Sequence, residues 1–300
     1  MWRMNKMIHQ LNKHKGLLGI LPALLFMLIF FVGGAFHSLN ISLGGQDSMS
    51  MVVHQEKFWA YRELINSTFF RSLGVTVGMA AVVAVLSGTI GLLAALYLAE
   101  RSKHWKWLNI IFQLPVGIPH LLSAYLFMQV LMQSGWYSRI AYYFGWIDSM
   151  EAFPVLVHDQ WGTGVIMAYM WKEVPFIVLL ISPFIVKLIS DWKEQSIALG
   201  GSFSQTVRWV IVPILLPIWV GGMWVVFAFT IGAYEIPALL ARTSFGSIPV
   251  TAFQEYSQFG LDRQAVAIAM NMVLAVISFV VGSILIYLQL QWYNRGRRVW

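Results

Sequence analysis

Glu194-Gln-Ser-Ile-Ala-Leu-Gly200-Gly201-Ser202-Phe-Ser-Gln-Thr-Val-Arg-Trp-Val210-Ile-Val212-Pro213 is a charged, glycine-broken stretch between two long apolar runs. Just upstream, Asp191-Trp-Lys-Glu194 has the form of a capping box, with Asp191 as the cap and Glu194 reaching back to it. A helix started there runs to Leu199. Gly200-Gly201 ends it, because glycine enters the left-handed conformation at little cost. Ser202-Phe-Ser-Gln205 is a second capping box and starts a helix that continues through Arg208 and Trp209 into the next apolar run. Pro213 fits a kink or a fresh helix start. The pattern predicts a short helix, a tight corner and a second helix, which together make a stiff elbow. An ordinary capped loop would carry the same caps.

The surroundings of this stretch define its medium. The 300 residues are 58% hydrophobic and 11% charged, against about 25% charged in soluble domains. About 20 mostly apolar residues cross a bilayer, and six segments qualify: about 17–37, 72–99, 108–133, 162–188, 212–241 and 264–290. The expected fold is therefore all-α and integral to the membrane, with six transmembrane helices and the elbow between the fourth and fifth. The first apolar run is longer than the 7–15 residues of a secretory leader, so it reads as a retained span. No internal repeat or low-complexity tract is visible.

Charge sets the expected orientation. With six spans, the segments on the side of the termini hold 13 Lys and Arg residues: Arg3, Lys6, Lys13, Lys15, Arg101, Lys103, Lys106, Lys187, Lys193, Arg208, Arg295, Arg297 and Arg298. The opposite side holds 6: Lys57, Arg62, Arg71, Arg139, Arg242 and Arg263. Basic residues accumulate on the cytoplasmic side, so both termini and the elbow are expected there. The division is a basic tail over 1–16, a first span with an external segment over 17–69, a transmembrane domain over 70–290 and a second basic tail over 291–300. The net charge of +7 fits contact with anionic lipid headgroups and not with nucleic acid.

The stretch resembles the EAA motif of permease subunits of binding-protein-dependent ATP-binding-cassette importers, of the MetI-like type I kind. That motif is E-A-A, three residues, G, nine residues, then I-x-L-P. Glu194, Gly200 and Pro213 hold its spacing, with Val210 and Val212 in the aliphatic places. Gln195 and Ser196 depart from it, standing where the family usually has alanines. The resemblance implies that Glu194, Ala198, Gly200, Gly201, Ser202 and Pro213 couple the chain to an ATPase, with residues around 194–204 as the coupling helix. It also implies partners: an ATPase dimer holding ATP and Mg, a second permease subunit (a sister chain or a copy of this one) and an external solute-binding protein. The expected setting is a bacterial inner membrane.

Several absences agree with a non-catalytic subunit. No Gly-x-x-x-x-Gly-Lys-Ser/Thr loop occurs, so this chain cannot cradle ATP in that way. There is no cysteine, and the seven histidines (9, 14, 37, 54, 104, 120, 158) are scattered, which leaves no ligand set for a built-in metal. No cofactor is expected on this chain.

Polar groups inside the apolar runs are candidates for the translocation path. Lys172 and Glu173 lie about 10 residues into the fourth span, roughly 15 Å deep at 1.5 Å per residue. Such charges mark a pathway or a buried partner. Neighbours on a helix point about 100° apart, so each should turn to a different group. Pro115 and Pro119 remove two N–H donors from the third span and should bend it beside His120. Glu235, in Gly232-Ala-Tyr-Glu235-Ile-Pro237, either lines an outer mouth or caps a helix end. In the second span, Gly74-xxx-Gly78 and Ser87-xxx-Gly91 allow close helix contact. The segment 134–161, with Trp136, Tyr137, Tyr142, Tyr143, Phe144, Trp146 and Trp161, reads as an interfacial helix with an aromatic belt or as a contact for a delivery protein. Trp171-Lys-Glu-Val-Pro175-Phe176 resembles a segment of importer permeases for polyamines, thiamine, ferric ion and phosphonates. It leans the cargo towards a small hydrophilic solute such as a polyamine, with anionic or metal cargo open. Two other readings remain: an ion-coupled secondary transporter with Lys172, Glu173 and His120 as a relay, and an intramembrane enzyme using His120 and Ser123.

Overall fold

The computed structural model describes residues 19–44, 56–100, 105–242, 245–258 and 263–297; the basic N-terminal tail lies outside them. Among the described residues every regular element is helical. In chain order these are α1 (Gly19–Ser42), α2 (Trp59–Glu63), α3 (Ser67–Glu100), α4 (Trp105–Gly117), α5 (His120–Leu131), α6 (Trp136–Tyr143), α7 (Thr163–Ala198), α8 (Phe203–Gly232), α9 (Glu235–Leu240), α10 (Ile248–Gln258) and α11 (Gln264–Arg297). Five of them, α1, α3, α7, α8 and α11, are long and apolar enough to cross a bilayer. The third expected span is not one helix. It is broken after Gly117, and the stretches Ile110–Gly117 and His120–Tyr143 meet at 101°. The fifth also ends earlier than expected, at Gly232, and 235–240 form the separate turn α9.

Two compact units make up the chain. The smaller comprises residues up to Ile65 together with Glu255–Met272. In it, the Tyr61 hydroxyl donates to Ser42 Oγ at 2.9 Å, tying α2 to the end of α1. Arg263 donates from Nε to Glu255 at 2.7 Å and from Nη1 to Glu63. Two carboxylates on one planar fork make a charge-assisted clamp, and they push the guanidinium above its ordinary range.

The larger unit comprises Asn66–Gln254 and Val273–Trp300. α3 packs along α7, and α8 packs on both. No apolar driving force separates lipid from helix here, so van der Waals fit carries the packing. Ile177 of α7 is wholly buried and sits against two glycines of other helices. A Cβ on Gly91 would come within 2.6 Å of it, and one on Gly222 within 3.1 Å. Ser87, one turn before Gly91, is buried and meets Met170 Sδ at 3.4 Å. Gly74 and Gly78 differ. Nothing lies within 4 Å of a Cβ at either, so the first small-residue pair faces away from this chain's own helices. At the start of α7, Asp159 accepts from the Thr163 N–H and hydroxyl, the latter at 2.7 Å, which satisfies donors a helix N-terminus leaves open.

Candidate docking elbow and intramembrane polar cluster

The elbow is built from backbone bonds at its corner and from side-chain bonds that cap and brace its second arm. α7 runs unbroken through Glu194 to Ala198, so no new helix begins at Asp191. That expected cap is an ordinary helical turn, in which the Asp191 carbonyl accepts from Gln195 Nε2 at 2.9 Å. Asp-x-x-Glu suits an uninterrupted helix as well as a start, and the apolar run before it already carries the helix. The end falls where glycine places it. Gly200 has φ +81°. Its N–H donates to Ile197 O at 2.9 Å, and the Gly201 N–H donates to Ser196 O at 2.8 Å. This pair of bonds is the Schellman arrangement.

The second arm starts at once. The Ser202 N–H donates to Gln205 Oε1 at 2.8 Å, and the Gln205 N–H donates to Ser202 Oγ at 3.3 Å. This is the full capping box. α8 then passes through a π-helical stretch, Val207–Ile211, immediately before Pro213. Proline at 213 withholds the N–H that the Trp209 carbonyl would take, and a widened turn is the usual local response.

Ser196, one of the two departures from the family motif, is a strut. The Thr206 hydroxyl donates to Ser196 Oγ at 2.7 Å, joining one arm to the other. A Cβ on Gly201 would stand 2.7 Å from that same Oγ. Lys193 adds a contact over the Phe203 ring, 4.9 Å from its centroid. On the outside of the corner Glu194 and Ala198 are exposed, and so are Ile197 at 53% and Leu199 at 89%. The result is a braced corner with apolar side chains and a carboxylate turned outwards.

The second cluster surrounds the broken helix. Ile118 precedes Pro119, whose ring disfavours the helical region at the residue before it; Pro119 itself sits at φ −56°, ψ 145°. Pro119 has no N–H for the Pro115 carbonyl four residues back. That carbonyl keeps a long bond from the Ile118 N–H at 3.4 Å, and Lys172 adds a second donor. Its Nζ lies 2.9 Å from Pro115 O and also donates to Ile118 O. The ammonium thus sits on the carbonyl end of α4, where the helix dipole favours a cation. Glu173 turns the other way, with Oε1 3.7 Å from His120 Nε2 on the first residue of α5. Both charged residues are buried, at 4% and 7% exposure.

The His120 ring also packs on Phe229, with centroids 4.6 Å apart, and its Nε2 is buried with no hydrogen-bond partner. Val116, His120, Lys172, Glu173, Phe176 and Phe229 line a cavity of about 180 Å³. Glu235 is not among them. It lies in the first turn of α9, half-buried. Ser123 is also apart from the histidine chemistry, since its hydroxyl donates to Pro119 O at 3.1 Å. The pairing of His120 with Ser123 as a catalytic couple is therefore not formed. Phe229 escaped sequence reading because nothing local distinguishes it from the other apolar residues of α8. No group of three or more potential metal ligands exists among the described residues.

Fold, elbow and broken helix together describe a membrane permease, and comparison with known proteins supports that class. Residues 87–299 match the family described as binding-protein-dependent transport system inner membrane component, and the chain belongs to it. It is 26% identical over 298 residues to the trehalose/maltose transport system permease protein MalF of Thermococcus litoralis, covering 93% of this chain and 94% of that one. It is 22% identical over 240 residues to the sulfate transport system permease protein CysT of Salmonella typhimurium, covering 79% and 83%. A solved bacterial ABC transporter involved in the import of the acidic polysaccharide alginate contains a chain with the same fold, at TM-score 0.75, 17% identity and coverage of 95% and 99%.

Proposed function

We propose that this subunit forms part of a solute path and is driven by an ATPase on another chain, which grips the elbow. The observation that carries this reading is the braced corner at 196–206, with Glu194, Ile197 and Leu199 exposed on it. A corner held by two helix-end motifs and a hydroxyl strut moves as a unit, so a push on its exposed side chains is delivered to α7 and α8. The elbow and both termini face the cytoplasm in this reading, consistent with 13 basic residues on that side against 6 opposite. ATP and Mg belong to the partner. A second permease subunit completes the path, and an external binding protein delivers the cargo.

That cargo is a hydrophilic solute. The relatives' names speak of sulfate and of trehalose/maltose, and the structural neighbour's of an acidic polysaccharide; a polyamine has no support among them and is not carried forward. The ion-coupled alternative is disfavoured by the family membership. Affinity purification of the tagged full chain from its native membrane tests the reading. An ATPase should be recovered with the wild type and lost with Leu199→Glu. Recovery of the chain without any ATPase would overturn it.

A further inference from the structure

We propose that Lys172 and Glu173 are positioning residues that set the bend of the broken third span, and that Lys172 does not bind cargo. This concerns the chain alone and holds whichever ATPase or solute it serves. The break leaves two half-helix ends within an apolar segment, a carbonyl end on α4 and an N–H end on α5, and lipid offers neither a hydrogen-bond partner. One turn of α7 presents a cation and an anion side by side, about 100° apart around the axis. The cation goes to the carbonyl end: Lys172 Nζ is held by Pro115 O and Ile118 O, the first of which Pro119 deprives of its regular helical donor. The anion goes to the first residue of α5, through His120.

Neighbouring α7 residues therefore face the two sides of the 101° bend. With two carbonyls on its ammonium and 4% exposure, Lys172 has its charge committed inside the chain. The Glu173 side is looser. At 3.7 Å, with the imidazole Nε2 unpartnered, it stands beyond the 2.7–3.2 Å of a formed hydrogen bond. The bend is thus fixed on the α4 side and adjustable on the α5 side.

The chain has no cysteine, so spin labels can be placed without background. Labels at Leu114→Cys on α4 and Tyr125→Cys on α5, both exposed, report the bend in the full chain in lipid nanodiscs. A second pair, Val85→Cys on α3 and Phe184→Cys on α7, also exposed, reports the packed core. The expected result is a narrow distance distribution across the bend in the wild type. It should be lost in Lys172→Met and recovered in Lys172→Arg, with the core pair unchanged throughout. Glu173→Gln should shift the bend distance by less than Lys172→Met does. A bend distribution in Lys172→Met as narrow as in the wild type overturns the proposal. So does loss of the core distance in parallel with the bend distance, because Lys172 would then hold the whole fold and not the bend.

Discussion

At the residue scale, Gly200 and Thr206 make the elbow sensitive to single changes. Gly200 holds φ +81°, a region that costs a side-chain-bearing L-residue roughly 1–2 kcal/mol. Gly200→Val should therefore lower the thermal midpoint and weaken recovery of the ATPase; an unchanged midpoint in a thermal-shift assay would show that the left-handed turn is not needed. Thr206→Val keeps the shape but removes the hydroxyl that donates to Ser196. A net loss of about 1 kcal/mol is expected for such a bond. The combination with Ser196→Ala, which restores the family's alanine, should cost little more than Thr206→Val alone. Stability of the four proteins in a double-mutant cycle checks the coupling, and strict additivity would refute the strut.

The elements divide into those that local sequence dictates and those that packing dictates. Ser202 to Gln205 folded as its capping pattern foretold, because each partner is within three residues and no distant group competes. Asp191 shows the other side. Its pattern is equally local, but the helix arriving from α7 overrides it. Pro175 and Pro183 sit inside α7 without ending it, whereas Pro119 marks a full break. At the break a distant side chain joins the carbonyls beside Pro119: Lys172, 57 positions away from Pro115. The close approach at Ile177 gives an element-scale prediction. Gly91→Val would drive side-chain atoms into Ile177, and overpacking of this kind costs about 1–3 kcal/mol. Ile177→Ala should partly rescue it, as read by thermal unfolding in detergent. If the double variant is no more stable than Gly91→Val alone, the contact does not limit the packing. By contrast Gly74→Ala, with open space around it in the middle of α3, should stabilise the isolated chain by up to about 1 kcal/mol.

For the whole molecule, the broken third span decides which way the elbow points. Among the described residues five continuous helices are long and apolar enough to cross the membrane, and the bent pair makes a sixth only if both halves together traverse it. A re-entrant pair would place the elbow and the N-terminus on opposite sides; a crossing pair places them together. The basic-residue asymmetry favours crossing. Single cysteines introduced for Trp146 and Leu199 separate the cases, since both positions are exposed and the chain has no other thiol. A membrane-impermeant maleimide should label position 146 in intact cells and position 199 only after permeabilisation. Labelling of 199 from outside would sink the docking reading.

Composition and local pattern were enough for the membrane class, the apolar segments and the glycine corner. These rest on composition and on bonds between residues a few positions apart, which survive any tertiary arrangement. The 101° bend in the third apolar segment, the Lys172 ammonium on the last carbonyls of α4, the Glu173 carboxylate 3.7 Å from the His120 ring and the Ser196–Thr206 bond across the corner emerge only once the helices pack. Proline announces that a donor is missing, but it cannot say which distant side chain replaces it. That choice belongs to helix packing, where shape and the cost of an unpaired polar group in lipid select the partner.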